Sequence, residues 1–127
     1  MRRKSSKFLS PLVFIPLKGI LVIMVFIETS IFTKKHTQYL SDDEYRKLQN
    51  FLMNKPNAGD LIQKTGGLRK LRWSLGNKGK QGGIRIIYYW QLAKEQIYFM
   101  TLYSKNEKVD LLPKDKKIIK QMLERWE

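Results

Sequence analysis

The chain has 127 residues, 43% of them hydrophobic and 28% charged, with 25 lysines and arginines against 11 acids and no cysteine. That length builds one hydrophobic core, and the composition is that of a globular domain rather than a disordered one. Without cysteine, and with His36 alone, disulfides, thiolate zinc sites, cysteine nucleophiles and histidine pairs are excluded, while a net charge of +14 predicts a polyanionic partner.

Five of the positive charges (Arg2, Arg3, Lys4, Lys7, Lys18) fall in residues 1–23, so 20 basic residues face 11 acidic ones in the remainder. The excess therefore belongs to the domain and not only to its leading segment. Residues 1–23 also differ in pattern: a basic start, an apolar run over 8–17 broken by Pro11 and Pro16, then Lys18 and a second apolar run. Three readings stand. A signal peptide has the basic and apolar regions but lacks a small-x-small cleavage site. A membrane helix over 8–27 reaches about the minimum span, yet Lys18 at its centre would cost roughly 2.5–3.5 kcal/mol. The third reading starts translation at Met24, with the preceding codons an over-extended gene. The division adopted is an N-terminal extension over 1–23 and one domain over 24–127.

From Met24 the elements follow in order. Val25, Phe26 and Ile27 form a β-branched run that predicts a first strand. A helix is expected over 30–40, with Ile31, Phe32 and Tyr39 on its buried face. Ser41-Asp42-Asp43-Glu44 is a capping box in which the Ser41 hydroxyl and Glu44 carboxylate satisfy two free helix-start amides. Leu40 and Tyr45 occupy the staple positions, and Tyr45, Leu48, Phe51 and Leu52 repeat at helix spacing. Asn54, Pro56, Asn57 and Gly59 end that helix.

The next segment is strand-like. Over 68–75, Arg69, Leu71, Trp73 and Leu75 share one face, and Lys70, Arg72 and Ser74 the other. Residues 76–83 are too long for a two-residue turn and predict a hairpin loop. Strands follow over 84–92 and 97–103, joined by a polar turn at 93–96. Pro113 suits the first turn of a last helix, with Ile118, Ile119, Met122, Leu123 and Trp126 as one apolar stripe. The order β-α-α-β-β-β-α predicts an α+β fold, a mainly antiparallel sheet with helices packed on it.

Residues 61–94 hold eight basic residues and no acidic one. If the three later strands are neighbours, Lys70, Arg72, Arg85, Tyr103, Lys105, Asn106 and Glu107 converge at one edge of the sheet. Such a set suits metal-independent cleavage of RNA by its own 2′-hydroxyl. That reaction needs a base for the hydroxyl, cations for the phosphorane and an acid for the leaving 5′-oxygen. Clustered cations disfavour a lysine's protonation and so favour it as base, while arginine grips phosphate bidentately. A solvated basic face that binds phosphate without chemistry fits the same residues. No P-loop, dinucleotide fingerprint or metal-ligand cluster occurs; Asp42 and Asp43 belong to the helix cap.

Three segments carry a family likeness: Gly66-Gly67-Leu68-Arg69-Lys70-Leu71-Arg72, Lys78-Gly79-Lys80-Gln81-Gly82-Gly83-Ile84-Arg85-Ile86-Ile87-Tyr88-Tyr89, and Leu102-Tyr103-Ser104-Lys105-Asn106-Glu107. In order and spacing they resemble the HigB-like branch of the RelE superfamily, toxins of type II toxin–antitoxin modules. The likeness spans 24–127 and includes the Tyr39-Leu40-Ser41-Asp42-Asp43-Glu44-Tyr45 junction. It implies a small RelE-like, microbial-ribonuclease-like fold. It further implies a cytoplasmic endoribonuclease that cleaves mRNA in the A site of the 30S ribosome and inhibits translation, with no cofactor and no metal. A cognate antitoxin, a helix-turn-helix protein in this branch, would neutralise it, and operator DNA would be bound only through that complex. No membrane partner is implied.

Carried over by position, Arg85 matches the family's strand arginine at the scissile phosphate. Lys70 and Arg72 lie where the family places basic residues around the reacting 2′-hydroxyl. Lys105 lies in its Gly-Lys-x-Glu-like segment, with Ser104 in place of glycine, and Tyr103 precedes it. Arg69, Lys78, Lys80 and Asn106 complete the expected RNA-binding set. The last helix offers no catalytic histidine or tyrosine such as some relatives use, so the general acid is unassigned. Trp73, Tyr88, Tyr89 and Trp90 are expected to pack rather than stack on bases, and His36 to be structural or exposed. Lys114, Lys116, Lys117 and Lys120 read as the outer face of the last helix, and Glu107 as a partner for a cation or an orienter of Lys105. The alternative to the toxin is a non-catalytic basic RNA- or DNA-binding domain.

Overall fold

The computed structural model describes residues 7–9, 13–17, 20–75, 83–107 and 113–126, with side chains from 24 onward except those of 113–115, 122–123 and 126. In chain order the elements are β1 (Lys7–Leu9), β2 (Val13–Leu17), β3 (Ile20–Thr29), α1 (Ser30–Tyr39), α2 (Asp42–Asn54), β4 (Asp60–Leu61), β5 (Leu68–Trp73), β6 (Ile84–Gln91), β7 (Gln96–Ser104) and α3 (Pro113–Trp126). The fold is α+β, and from β3 onward it follows the expected order with the two-residue β4 added. The described parts of 8–27 are extended strands, and no described helix is long and apolar enough to cross a membrane.

The sheet order is β1-β3-β7-β6-β5-β4, with β2 also antiparallel to β3; only the β3–β7 pair is parallel. Strand β3 thus begins four residues before Met24 and pairs with both short strands ahead of it.

Alternation along these strands sorts apolar side chains to two faces. On one face Phe26, Leu71, Ile84, Ile86, Tyr88, Ile97, Phe99 and Leu102 meet Phe32 of α1 and Leu48, Leu52 and Met53 of α2. On the other, Ile27, Leu68, Ile87, Tyr98, Met100 and Tyr103 meet Ile119 of α3 and Ile62. Phe32 stacks on Phe99 with ring centroids 4.7 Å apart. The Ser41–Glu44 capping box forms as expected, with reciprocal bonds of 3.1 Å. His36 stacks on Phe32 and leans on Tyr45, a structural placement.

Two apolar assignments change. Ile31 is 52% exposed, because Phe32 takes the sheet-facing position and the next residue back points about 100° away. Ile118 is 54% exposed for the same reason, since α3 docks through Ile119. The side chains of Met122, Leu123 and Trp126 lie outside the described residues.

One irregularity fixes the site. Along β6–β7, Ile87 pairs with Thr101 but Tyr88 pairs with Phe99, so Met100 is an extra, bulged residue. Its carbonyl accepts a 2.7 Å bond from the Thr29 hydroxyl, which itself caps α1 by accepting from the Phe32 amide. The bulge shifts side-chain parity by one, so Leu102 turns to the α1/α2 face and Tyr103 to the face of Ile87.

Candidate nucleic-acid interface

Strands β5, β6 and β7 are neighbours, so residues opposite one another stand on the same side of the sheet. Arg72 pairs with Arg85, and Arg85 pairs with Tyr103, which makes one cross-strand rung. The next rung on this face is Asp60, Lys70, Ile87 and Thr101. Two arginines thus face each other with Cβ atoms roughly 4.5–5.5 Å apart, and Lys70 lies one rung away. Four of the expected catalytic residues, Lys70, Arg72, Arg85 and Tyr103, thus lie on two adjacent rungs.

Arg72 is exposed, Lys70 and Arg85 are half-buried. The Arg85 guanidinium turns back toward the Ile84 carbonyl at 3.5 Å, at the limit of a hydrogen bond, and lies beside Gly83. Lys78 and Lys80, expected on the loop leading into Gly83, lie outside the described residues. Tyr103 is 2% exposed and belongs to the core cluster, so it packs inside rather than standing at the surface with Arg72.

Lys105 and Asn106 are exposed on the turn after β7. That turn is tied at several points. The Lys105 amide donates to the Gly83 carbonyl at 3.4 Å and the Glu107 amide to Ser104 at 3.0 Å. The Glu107 carboxylate accepts from the Ser104 amide at 3.0 Å and from the Tyr39 hydroxyl at 2.5 Å. The Tyr39 bond and then the Ser104 amide hold the Glu107 carboxyl below its ordinary range. Burial, followed by the same bond, pushes the Tyr39 phenol up to about 12. Glu107 is thus the fastener of the Lys105 turn, bonded to Tyr39 and Ser104 with the Lys35 charge nearby.

Arg69 is not part of this face. Its guanidinium donates to the carbonyls of Asn57 at 3.2 Å and Gly59 at 2.8 Å, on the α1/α2 side of the sheet. There it works with Tyr88, whose buried hydroxyl donates to Pro56 at 2.7 Å and accepts from the Gly59 amide at 2.9 Å. Trp73 packs on Phe51 with centroids 5.3 Å apart, and Tyr89 on Tyr98 at 6.0 Å, as packing residues.

Asp60 is the residue that sequence reasoning passed over. It sits one position ahead of the acid-free stretch, and the two-residue β4 swings it directly opposite Lys70. Nothing short of strand register reveals that pairing. Among the described residues no group of three His, Cys, Asp or Glu side chains is placed to hold a metal ion. The face offers phosphate two neighbouring arginines and Lys70, with Asp60 across from Lys70. No protein-family model matches the chain.

Proposed function

We propose that the protein is a ribosome-dependent, metal-independent endoribonuclease, the toxin of a type II toxin–antitoxin module of RelE/HigB type. Arg72 opposite Arg85 supports this most. Like charges set directly across a sheet cost folding stability, and an anion bridging both would remove that cost. A phosphodiester in that position meets the fork of each arginine. Lys70 on the adjacent rung, acting through its neutral amine, takes the proton of the 2′-hydroxyl and becomes the ammonium, while the hydroxyl oxygen attacks the phosphorus. The two guanidinium groups offset the charge of the pentacoordinate phosphorane. The P–O5′ bond breaks, the 5′-oxygen takes a proton from water, and a 2′,3′-cyclic phosphate remains. The segments that resemble the family carry the step from RNA binding to mRNA cleavage in the A site, and with it a neutralising antitoxin.

Expression of the full chain without an antitoxin should arrest growth, and Arg85→Ala should relieve the arrest. Primer extension on translated mRNA should show new 5′ ends at defined codon positions. Growth unaffected by the wild-type chain, with translated mRNA intact, sinks the proposal. The burial of Tyr103 favours a second reading, a basic RNA binder without chemistry. That reading expects salt-sensitive affinity for free RNA and no new ends.

A further inference from the structure

Lys64, Lys116, Lys117 and Lys120 line a concavity of about 450 Å³ between the turn that precedes β5 and the helix α3. The turn is tightly built. The Thr65 hydroxyl donates to the Ile62 carbonyl at 2.6 Å and accepts from the Leu68 amide at 3.1 Å, while the Ile62 amide bonds to Leu68 at 2.9 Å. Lys64 is held there at φ 61, a left-handed conformation that is costly for a residue with a Cβ. Strain of that kind is tolerated where the surrounding bonds impose it, and it fixes where the ammonium stem emerges. Gly66, also left-handed at φ 82, lies against the Lys120 side chain, so turn and helix meet here. The ion pair Lys47–Asp43 involves none of these four lysines.

We propose that this lysine-lined concavity is a second phosphate-binding site, which holds the backbone of a single-stranded RNA away from the Arg72–Arg85 rung. Four ammonium groups around one hollow exceed what one carboxylate neutralises, whereas successive phosphates supply a charge each. Lysine binds phosphate as a flexible point charge, without the fixed fork geometry of arginine. No arginine is among the lining residues described. The hollow opens at the Leu68 end of β5, and Arg72 lies four residues along the same strand, roughly 13 Å at about 3.3 Å per residue. Lys70 stands between them on the same face. A strand of RNA laid along β5 therefore meets the lysines of the hollow, then Lys70 with Asp60 opposite it, then Arg72. The inference does not rest on cleavage.

The test uses the full chain and a short labelled RNA with 2′-O-methyl groups, which cannot be cut through its own hydroxyl. Lys64→Asn keeps a residue that accepts the left-handed backbone, and Lys116→Gln, Lys117→Gln and Lys120→Gln keep helix propensity. With about 0.7 of slope per phosphate contact, the quadruple variant should lower the slope of log K against log salt by about 2 to 3. Removing four exposed lysines elsewhere (Lys34, Lys47, Lys55 and Lys94, each to Gln) should lower it by less than about 0.7. Should the quadruple variant not fold, Lys64→Asn and Lys120→Gln singly should each lower it by about 0.7. An unchanged slope, or an equal drop in the control, overturns the site. Poly-glutamate binding more tightly than RNA, and losing that binding in the same variants, overturns its assignment to RNA. Because the oligonucleotide cannot be cut, absence of growth arrest leaves this outcome unaffected.

Discussion

The Tyr39 hydroxyl donates to Glu107 Oε1 at 2.5 Å, joining the end of α1 to the turn after β7 across 68 residues of sequence. The same carboxylate oxygen accepts from the Ser104 amide, so one side chain closes the Lys105 turn and anchors it to a helix. Because the Glu107 carboxyl is held low by that bond, its contribution is present above the ordinary carboxylate range and disappears as pH falls through the lowered value. Tyr39, pushed up to about 12, contributes fully below the ordinary tyrosine value near 10 and loses that contribution as pH climbs toward 12. Glu107→Gln should therefore destabilise at neutral pH by about 0.5 kcal/mol, the low end for an exposed bond. Urea unfolding should find that difference shrinking as pH falls below the ordinary carboxylate range and through the lowered value of Glu107. A difference independent of pH refutes the assignment.

Arg72 and Arg85 make opposite demands on folding and on RNA binding. Set across from each other, they repel; removing one should stabilise the free protein by about 0.2–1 kcal/mol. Arg72→Gln should thus raise the midpoint of urea unfolding while weakening binding of the uncleavable RNA and reducing growth arrest. A residue retained only for the fold would show a lower midpoint instead.

The contrast between β5 and β7 explains how far the sequence could be read. Period-two alternation in Leu68–Trp73 separates Lys70 and Arg72 from Arg69, Leu71 and Trp73 without further information, and the structure has that division. Strict alternation in β7 would place Tyr103 with Ile97 and Phe99. The bulge at Met100 moves it to the other face, and the carbonyl that makes the bulge tolerable is bonded by Thr29, far away in sequence. The capping box at Ser41 was legible because all its partners lie within four residues. Asp60 opposite Lys70, Tyr39 on Glu107 and the lysine hollow all depend on long-range register or docking, which no local pattern encodes. Ile31 and Ile118 were misplaced because adjacent apolar residues on a helix cannot both face one sheet.

Arg69, one residue from Lys70, should behave as a structural residue. Its bonds to Asn57 and Gly59, with those of the Tyr88 hydroxyl to Pro56 and Gly59, hold the segment that delivers β4. Tyr88→Phe leaves the buried Gly59 amide unsatisfied and should cost about 1–3 kcal/mol. Arg69→Gln should lower the melting midpoint while changing RNA affinity by less than about threefold, the effect of one lost phosphate contact over a fourfold salt range. A larger fall in affinity with an unchanged midpoint would return Arg69 to the RNA-binding set.

Thr29 joins helix capping to the geometry of the rung. Its hydroxyl accepts from Phe32 at 3.0 Å and donates to the bulge carbonyl of Met100 at 2.7 Å, in a site 2% exposed. Thr29→Ala removes a cap, worth about 0.5–2 kcal/mol, and strands a buried carbonyl, worth about 1–3 kcal/mol. Thr29→Val keeps the shape but loses both bonds and should be about as damaging, whereas Thr29→Ser should recover most of the loss. The bulge aligns Tyr103 with Arg85, so growth arrest should fall in Thr29→Val even at temperatures where circular dichroism reports a folded chain. Full activity in a folded Thr29→Val protein would mean that the Arg85–Tyr103 alignment does not depend on this bond.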